Sequence, residues 1–187
     1  RLRDEYCIPF DQWHGQGKII TKNGKINIQP PWDPILNVDT KKRILLDPGV
    51  VFGAGTHPTT QDCIEAIEIV CNHDNIESAL DLGTGTGLLA IAAAKMTCRH
   101  CVAVDLNLLA VKTAANNVKL NRLENEILTV QGRAEDFIEY SADLVIANIH
   151  YDVMRHLIVS KGFLAKRGFI LSGLLRSEAK RIVAQLN

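Results

Sequence analysis

From residue 78 onward the chain repeats one unit: a short apolar run, a turn, then a helical stripe. Residues 78–82, 101–105, 127–130, 142–147 and 168–172 are apolar at almost every position rather than every second one. Strands of that kind must be buried on both faces, which is the condition of a parallel sheet sandwiched between helices. The intervening segments 88–96, 108–120, 151–163 and 178–186 carry apolar residues at helical spacing. The chain is therefore predicted to be α/β, with a mostly parallel sheet and right-handed crossovers. Ahead of it, Cys63, Ile64, Ile67, Val70 and Cys71 mark one more helical stripe, and Ile44-Leu45-Leu46 a further short apolar run.

Residues 1–40 read differently. Lys18-Ile19-Ile20-Thr21 and Lys25-Ile26-Asn27-Ile28 flank Asn23-Gly24, a dipeptide that tolerates positive φ and closes hairpins. Pro30, Pro31 and Pro34 then prevent a continuing helix or central strand. The expected organisation is a hairpin and connector over 1–40 and a ligand-binding α/β domain over 41–187.

The chemistry is concentrated where strands end. Asp81-Leu82-Gly83-Thr84-Gly85-Thr86-Gly87 follows the first strand and opens a helix. Glycines there let backbone approach a ligand closely, and a helix N-terminus presents free N–H groups. A dinucleotide loop, G-x-G-x-x-G, would need its third glycine at position 88, where Leu88 stands; here it is Gly87. The pattern D-x-G-x-G-x-G favours an S-adenosylmethionine loop over a nicotinamide loop, with a purely structural turn as the third reading. Asp81, Gly83 and Gly85 are its candidate cofactor contacts. Asp105 ends the second strand, 22 residues after Gly83, where a carboxylate can accept from two ribose hydroxyls or merely cap the next turn. Asn148 ends the fourth strand. Its amide can accept a hydrogen bond from a substrate amine and aim the amine's lone pair, or it can cap the following helix.

Composition removes some classes. Lys plus Arg equals Asp plus Glu, 21 each, so there is no global field for nucleic acid, and none is required. No apolar run approaches the roughly 18 residues of a membrane span, and no h-region follows Arg1-Leu2-Arg3. A cytoplasmic protein without membrane attachment is expected. Five cysteines at irregular spacing do not form a disulfide framework. Cys98-Arg99-His100-Cys101 reads as a pair of thiols near a helix-to-strand turn; zinc would need partners such as Cys71 and His73, and no metal is expected.

These residues together resemble the PrmA family, which methylates a protein of the large ribosomal subunit. The likeness runs from about Trp13 through Lys25-Ile26-Asn27-Ile28-Gln29-Pro30-Pro31-Trp32. It is most specific at Leu46-Asp47-Pro48-Gly49-Val50-Val51-Phe52-Gly53-Ala54-Gly55-Thr56-His57-Pro58-Thr59-Thr60, and continues to Leu171-Ser172-Gly173-Leu174-Leu175. It implies a Rossmann-like class I fold and S-adenosyl-L-methionine as cofactor. It also implies methyl transfer to lysine or α-amino groups of a ribosomal large-subunit protein. Carried over residue by residue, it implies Thr60 near the methionine part, Gly83 in the glycine loop, Asp105 on the ribose and Asn148 at the methyl-transfer end. Thr60 comes from the resemblance alone; its place just after Pro58 otherwise suggests a helix N-cap. The loop 52–60 is expected to cover the cofactor, with His57 either a base or a loop-fixing hydrogen bonder.

The pattern departs from the family in three ways. Full-length members carry an N-terminal substrate-recruiting domain, and they add C-terminal strands that complete the sheet; both lie outside this chain. His150 and Tyr151 stand where the family has small or aliphatic residues, and Asn-Ile-His-Tyr faintly resembles Asn-Pro-Pro-Tyr, so Tyr151 is a candidate wall for a substrate amine. Three alternatives follow, one of them a non-catalytic remnant that would bind S-adenosylmethionine without transferring its methyl group. An amine methyltransferase acting on another protein or on nucleic acid would need a basic surface near Asn148, for which Arg155, His156, Lys161, Lys166 and Arg167 are candidates. A nicotinamide-dependent oxidoreductase would share the sheet and the ribose acid.

Overall fold

A computed structural model describes residues 19–20, 26–33, 39 and 43–186. Five strands, β4 (Ser78–Leu82), β5 (His100–Asp105), β6 (Ile127–Gln131), β7 (Leu144–Asn148) and β8 (Gly168–Ser172), form a parallel sheet in the order β6-β5-β4-β7-β8. The chain lays β5 and β6 to one side of β4 and then crosses to lay β7 and β8 on the other. That reversal opens a crevice at the carboxyl ends of β4 and β7, where doubly wound sheets bind ligands.

At the centre of the sheet both faces are dry, which is why β4, β5 and β7 are apolar almost throughout. Ala79, Cys101, Ala103, Leu144 and Ile146 point into one apolar cluster, shared with α1 (Pro58–His73) and α2 (Leu88–Met96). Leu80, Leu82, Val102, Val104, Val145 and Ala147, the alternate residues, point into the other with Met154, Phe163 and Ile182. The first face is the smaller-grained one over β4 and β5, and the small residues of α2 meet it: Ala90, Ala92 and Ala93 are buried along with Leu88, Leu89 and Ile91. The second face is covered by α5 (Tyr151–Leu157), α6 (Lys161–Leu164) and α7 (Arg176–Leu186), with Phe163 stacked on Phe169 at 4.2 Å. On the β6 side, α3 (Leu108–Leu120) and the short α4 (Ala134–Phe137) complete the described helices. Among the described residues no helix is long and apolar enough to cross a membrane.

Most boundaries fall within two residues of the expected ones, and two of the differences have a side-chain cause. The helical stretch over 151–163 is broken, because Ser160 turns its hydroxyl onto Phe163 N and starts α6 afresh. The fourth strand begins at Leu144 rather than residue 142, because the Asp143 carboxylate turns back to accept from Glu77 N, Ser78 N and Ser78 Oγ.

In the N-terminal segment, β1 (Ile19–Ile20) pairs antiparallel with β2 (Asn27–Gln29), as the two arms of the expected hairpin should; the Asn23-Gly24 turn lies outside the described residues. The run at residue 44 supplies β3 (Arg43–Leu45), which pairs parallel with β2 to make a separate three-stranded sheet. Ile26, Ile28, Ile44 and Leu46 join the α1–α2 cluster, so the small sheet is seated on the main core.

Candidate functional site

Two glycine-bearing loops meet backbone to backbone above the crevice. Asp47–Gly53 is held from below by Asn117 of α3, whose amide accepts from Asp47 N (2.8 Å) and donates to Asp47 O (2.9 Å) and Thr86 O (2.8 Å). Thr86 N donates to Phe52 O (3.1 Å) and Thr86 Oγ1 to Gly53 O (2.7 Å). Gly85, at φ +56°, lies directly under the Phe52 carbonyl, and any Cβ there would collide with it. Gly83, at φ +73°, leaves no room for a Cβ either, because Ile149 Cγ2 fills that space. The glycines are thus required by packing on protein as much as by approach to a ligand.

Under these loops lies a cavity of about 860 Å3. That is room for a nucleoside cofactor. At one end stand Asp105, Leu106 and Gly132 to Glu135; at the other, Asn148, Ile149, His150, Thr59 and Gly173. The Asp105 carboxylate accepts from Gly85 N through Oδ2 (2.9 Å) and from Asn107 N through Oδ1 (2.9 Å). A carboxylate has about four acceptor positions, so two remain for a diol. Asp105 thus caps the turn after β5 through Asn107 N, as one of its two sequence readings expected, and also staples the glycine loop through Gly85 N.

Asn148 also lines the cavity, and its Nδ2 donates to Thr59 Oγ1 at 3.4 Å. The capping alternative is not what the side chain does, since α5 has His150 at its N-cap and no side-chain cap bond. Thr60 is not an N-cap either. His57 takes that place in α1, accepting from Thr59 N, with Pro58 next, a residue whose missing N–H is harmless there. Thr60 is instead buried in the first turn, on the cavity wall, with its Oγ1 lacking a hydrogen-bond partner among the described residues. That hydroxyl can donate to or accept from a group seated in the cavity. His57 acts as the loop-fixing hydrogen bonder: Nδ1 lies 2.7 Å from Thr59 Oγ1, and the ring is 5.8 Å from Phe52.

Thr60, Gly83, Gly85, Asp105 and Asn148 therefore share one cavity. Asp81 does not reach it. It points to the α2 side of β4, fully buried, where Oδ2 accepts from Thr84 Oγ1 (2.6 Å) and Ala90 N (3.2 Å) and so fixes the loop from beneath. Burial pushes its carboxyl up to about 6, against the pull of those two donors. Tyr151 packs on the second apolar cluster and does not line the cavity, whereas His150 does. Two of the five basic residues, Lys166 and Arg167, do not stand beside Asn148. β8 pairs Gly168 with Leu144 and Ser172 with Asn148, so Lys166 and Arg167 lie beyond the far end of the sheet, roughly 13 Å along the strand. There Lys166 donates to Tyr140 O and Arg167 to Asn75 O and Asp143, while Arg155 faces Asp152.

Cys98 and Cys101 are buried free thiols, and hydrogen bonding with Cys101 together with burial pushes Cys98 up to about 12. Among the described residues no cluster of three or more His, Cys, Asp and Glu is arranged to hold a metal.

Sequence reading missed the 132–135 end of the cavity and Leu106, which is exposed and lies on its wall. The signal was available, since both follow carboxyl ends of strands in the half of the sheet that already held Asp105.

The family model for ribosomal protein L11 methyltransferase (PrmA) matches residues 12–187. A ribosomal protein L11 methyltransferase of Halalkalibacterium halodurans is 37% identical over 94% of the chain and 55% of its own length. One of Clostridium botulinum is 36% identical over 95% of the chain and 56% of its own length. The chain thus spans about half the length of the curated relatives it matches. In structure it is similar to the ribosomal protein L11 methylase of Lactobacillus delbrueckii subsp. bulgaricus, with a TM-score of 0.69 and 28% identity over 87% of this chain and 84% of that one. The expected class I α/β fold is borne out, and nothing in these likenesses supports the nicotinamide alternative.

Proposed function

The chain belongs to the ribosomal protein L11 methyltransferase (PrmA) family, and from that premise we propose that it is the catalytic portion of an S-adenosylmethionine-dependent protein methyltransferase acting on lysine or α-amino groups of ribosomal protein L11. Residues 41–187 carry the cofactor, residues 1–40 connect, and the protein works in the cytoplasm, where its acceptor is made.

One observation carries the reading. A carboxylate with spare acceptor sites and an amide side chain face a common cavity, and a buried hydroxyl without a partner lies on its wall. Asp105 holds the ribose hydroxyls, Gly83 and Gly85 admit the nucleoside close to backbone, and Thr60 offers its hydroxyl to the methionine part. When bound, the cofactor supplies a methyl group electrophilic enough to pass to a neutral amine. The protein's work is positioning and exclusion of water. Asn148 Oδ1 accepts an N–H of the acceptor amine and so turns its lone pair into the cavity. The amine arrives already deprotonated, its proton having gone to water, so no general base is assigned.

Calorimetric titration with S-adenosylhomocysteine tests the first half. Binding is expected, and Asp105→Ala should weaken it about 10- to 100-fold, the worth of one hydrogen bond to a charged group. Label transfer from S-adenosylmethionine to ribosomal protein L11 tests the second half, with Asn148→Ala lowering turnover far more than cofactor affinity. Unchanged turnover would remove Asn148 from the mechanism.

A further inference from the structure

The structure assigns Thr59 a role as the positioning residue for the Asn148 amide. The inference rests on the reading of Asn148 as amine orienter. An Asn side chain has two nearly isosteric ends, one donating and one accepting. Presented the wrong way round, it would offer N–H groups to the acceptor amine and could not draw the amine's own N–H toward it. Something must decide which end faces the cavity.

A three-membered chain of hydrogen bonds decides it. The Nδ1 atom of His57 accepts from Thr59 N at 3.3 Å, as the N-cap of α1, so it carries a lone pair and not a proton. In the tautomer that lets Nδ1 cap α1, the Thr59 hydroxyl, 2.7 Å from that same atom, donates to it. With its one proton committed, Thr59 Oγ1 can only accept from Asn148, and the group it meets at 3.4 Å is Nδ2. The polarity runs Asn148 Nδ2–H to Thr59 Oγ1–H to His57 Nδ1. The amide nitrogen is held toward α1, and Oδ1 is left over the α-carbon of Gly173. Gly173 permits this because it sits at φ +80°, and a Cβ there would lie 3.0 Å from Asn148 Oδ1 and 2.8 Å from Ile149 O. Thr59 and Asn148 are 89 residues apart, so the contact also ties the start of α1 to the end of β7 across the cavity.

The Nδ2 to Oγ1 distance is at the long end of the hydrogen-bond range, so the preference it imposes is moderate. Bonds of this kind commonly shorten once substrate is seated. The expected effect of its loss is a fall in turnover of about 2- to 10-fold, the worth of one ordinary hydrogen bond.

The test is a mutant cycle on the full chain, assayed with S-adenosylmethionine and ribosomal protein L11. Thr59→Val keeps the β-branched shape and deletes the hydroxyl. It should lower kcat with little change in KM for the cofactor, and Thr59→Ser should restore it to within about twofold. In the Asn148→Ala background Thr59→Val should have no further effect. Wild-type turnover for Thr59→Val, or an undiminished second loss in the Asn148→Ala background, overturns the assignment. Wild-type turnover for Asn148→Ala sinks the earlier reading of Asn148 instead, and the two failures are told apart. A readout without turnover comes from the 15N-labelled, cofactor-free protein, in which the two Asn148 side-chain N–H signals should shift in Thr59→Val and return in Thr59→Ser. Signals unmoved by the valine overturn the proposal. Thr59→Ala reads the same contact if the valine variant does not fold.

Discussion

Replacing Gly85 with alanine tests the seating of one glycine loop on the other. The residue sits at φ +56°, a conformation that carries a penalty of about 1–2 kcal/mol for a side chain with a Cβ. The larger effect is steric. The atom in the way is the Phe52 carbonyl oxygen, part of a backbone that cannot swing aside as a side-chain tip would. Relief requires the 47–53 loop to lift, which breaks Thr86 N to Phe52 O and Thr86 Oγ1 to Gly53 O. At about 1 kcal/mol each, the two bonds and the strain together come to about 3–4 kcal/mol. That is a large part of the 5–15 kcal/mol typical of a whole domain. Lifting the loop also displaces Gly85 N from Asp105, so S-adenosylhomocysteine binding should fall with stability. Gly168→Ala is the matched control: its φ is not positive, and its Cβ would meet only Leu144 Cδ1, at an ordinary 3.5 Å. It should be neutral or stabilising by up to about 1 kcal/mol through the unfolded chain. Urea unfolding of the two variants, followed by calorimetric titration, decides the matter. If Gly85→Ala unfolds and binds like the wild type, the contact between the two loops does not shape the cavity.

Other expectations follow from single groups. Burial raises the Asp81 carboxyl from 3.8 to about 6, so between those values the folded state binds the proton more tightly than the unfolded one. Its contribution is fully present below about 3.8 and is lost as pH rises through about 6, a swing of about 3 kcal/mol. Asp81→Asn should therefore flatten the pH dependence of stability between pH 4 and 6; a slope equal to the wild type's there would show that Asp81 does not titrate as described. Asn117→Ala removes three hydrogen bonds at a buried site, and denaturant titration should register a loss of about 3 kcal/mol. Ile91→Ala, in the fully buried face of α2, should destabilise by about 2–5 kcal/mol with no direct loss of a cavity contact.

Strand and helix positions were legible because their cause is local. Residues that alternate between two dry faces must all be apolar, and those of β4, β5 and β7 are, apart from the strand-end residues and the single buried Asp81. The placement of Asp105 and Asn148 was legible because both close strands, and in a parallel sheet strand ends converge. Boundaries set by side chains reaching back to backbone, as at Asp143 and Ser160, were not legible, since any Asp or Ser can do so and only the neighbours decide. The same limit applied to Asp81. Its motif position suggested a ligand contact, yet β-strand alternation turned it toward α2, where two donors were waiting.

What the amino-acid order determined by itself is the parallel α/β architecture, the glycine loop and the two strand-end polar residues, because these follow from periodicities of two and 3.6 and from the backbone freedom of glycine. What only the tertiary structure decided is how distant segments meet. It seats the Phe52 carbonyl over Gly85, carries β3 back to β2, takes Lys166 and Arg167 to the far end of the sheet and joins Thr59 to Asn148. Those contacts join residues tens of positions apart. Nothing in the local chemistry of either partner names the other until packing has brought them together.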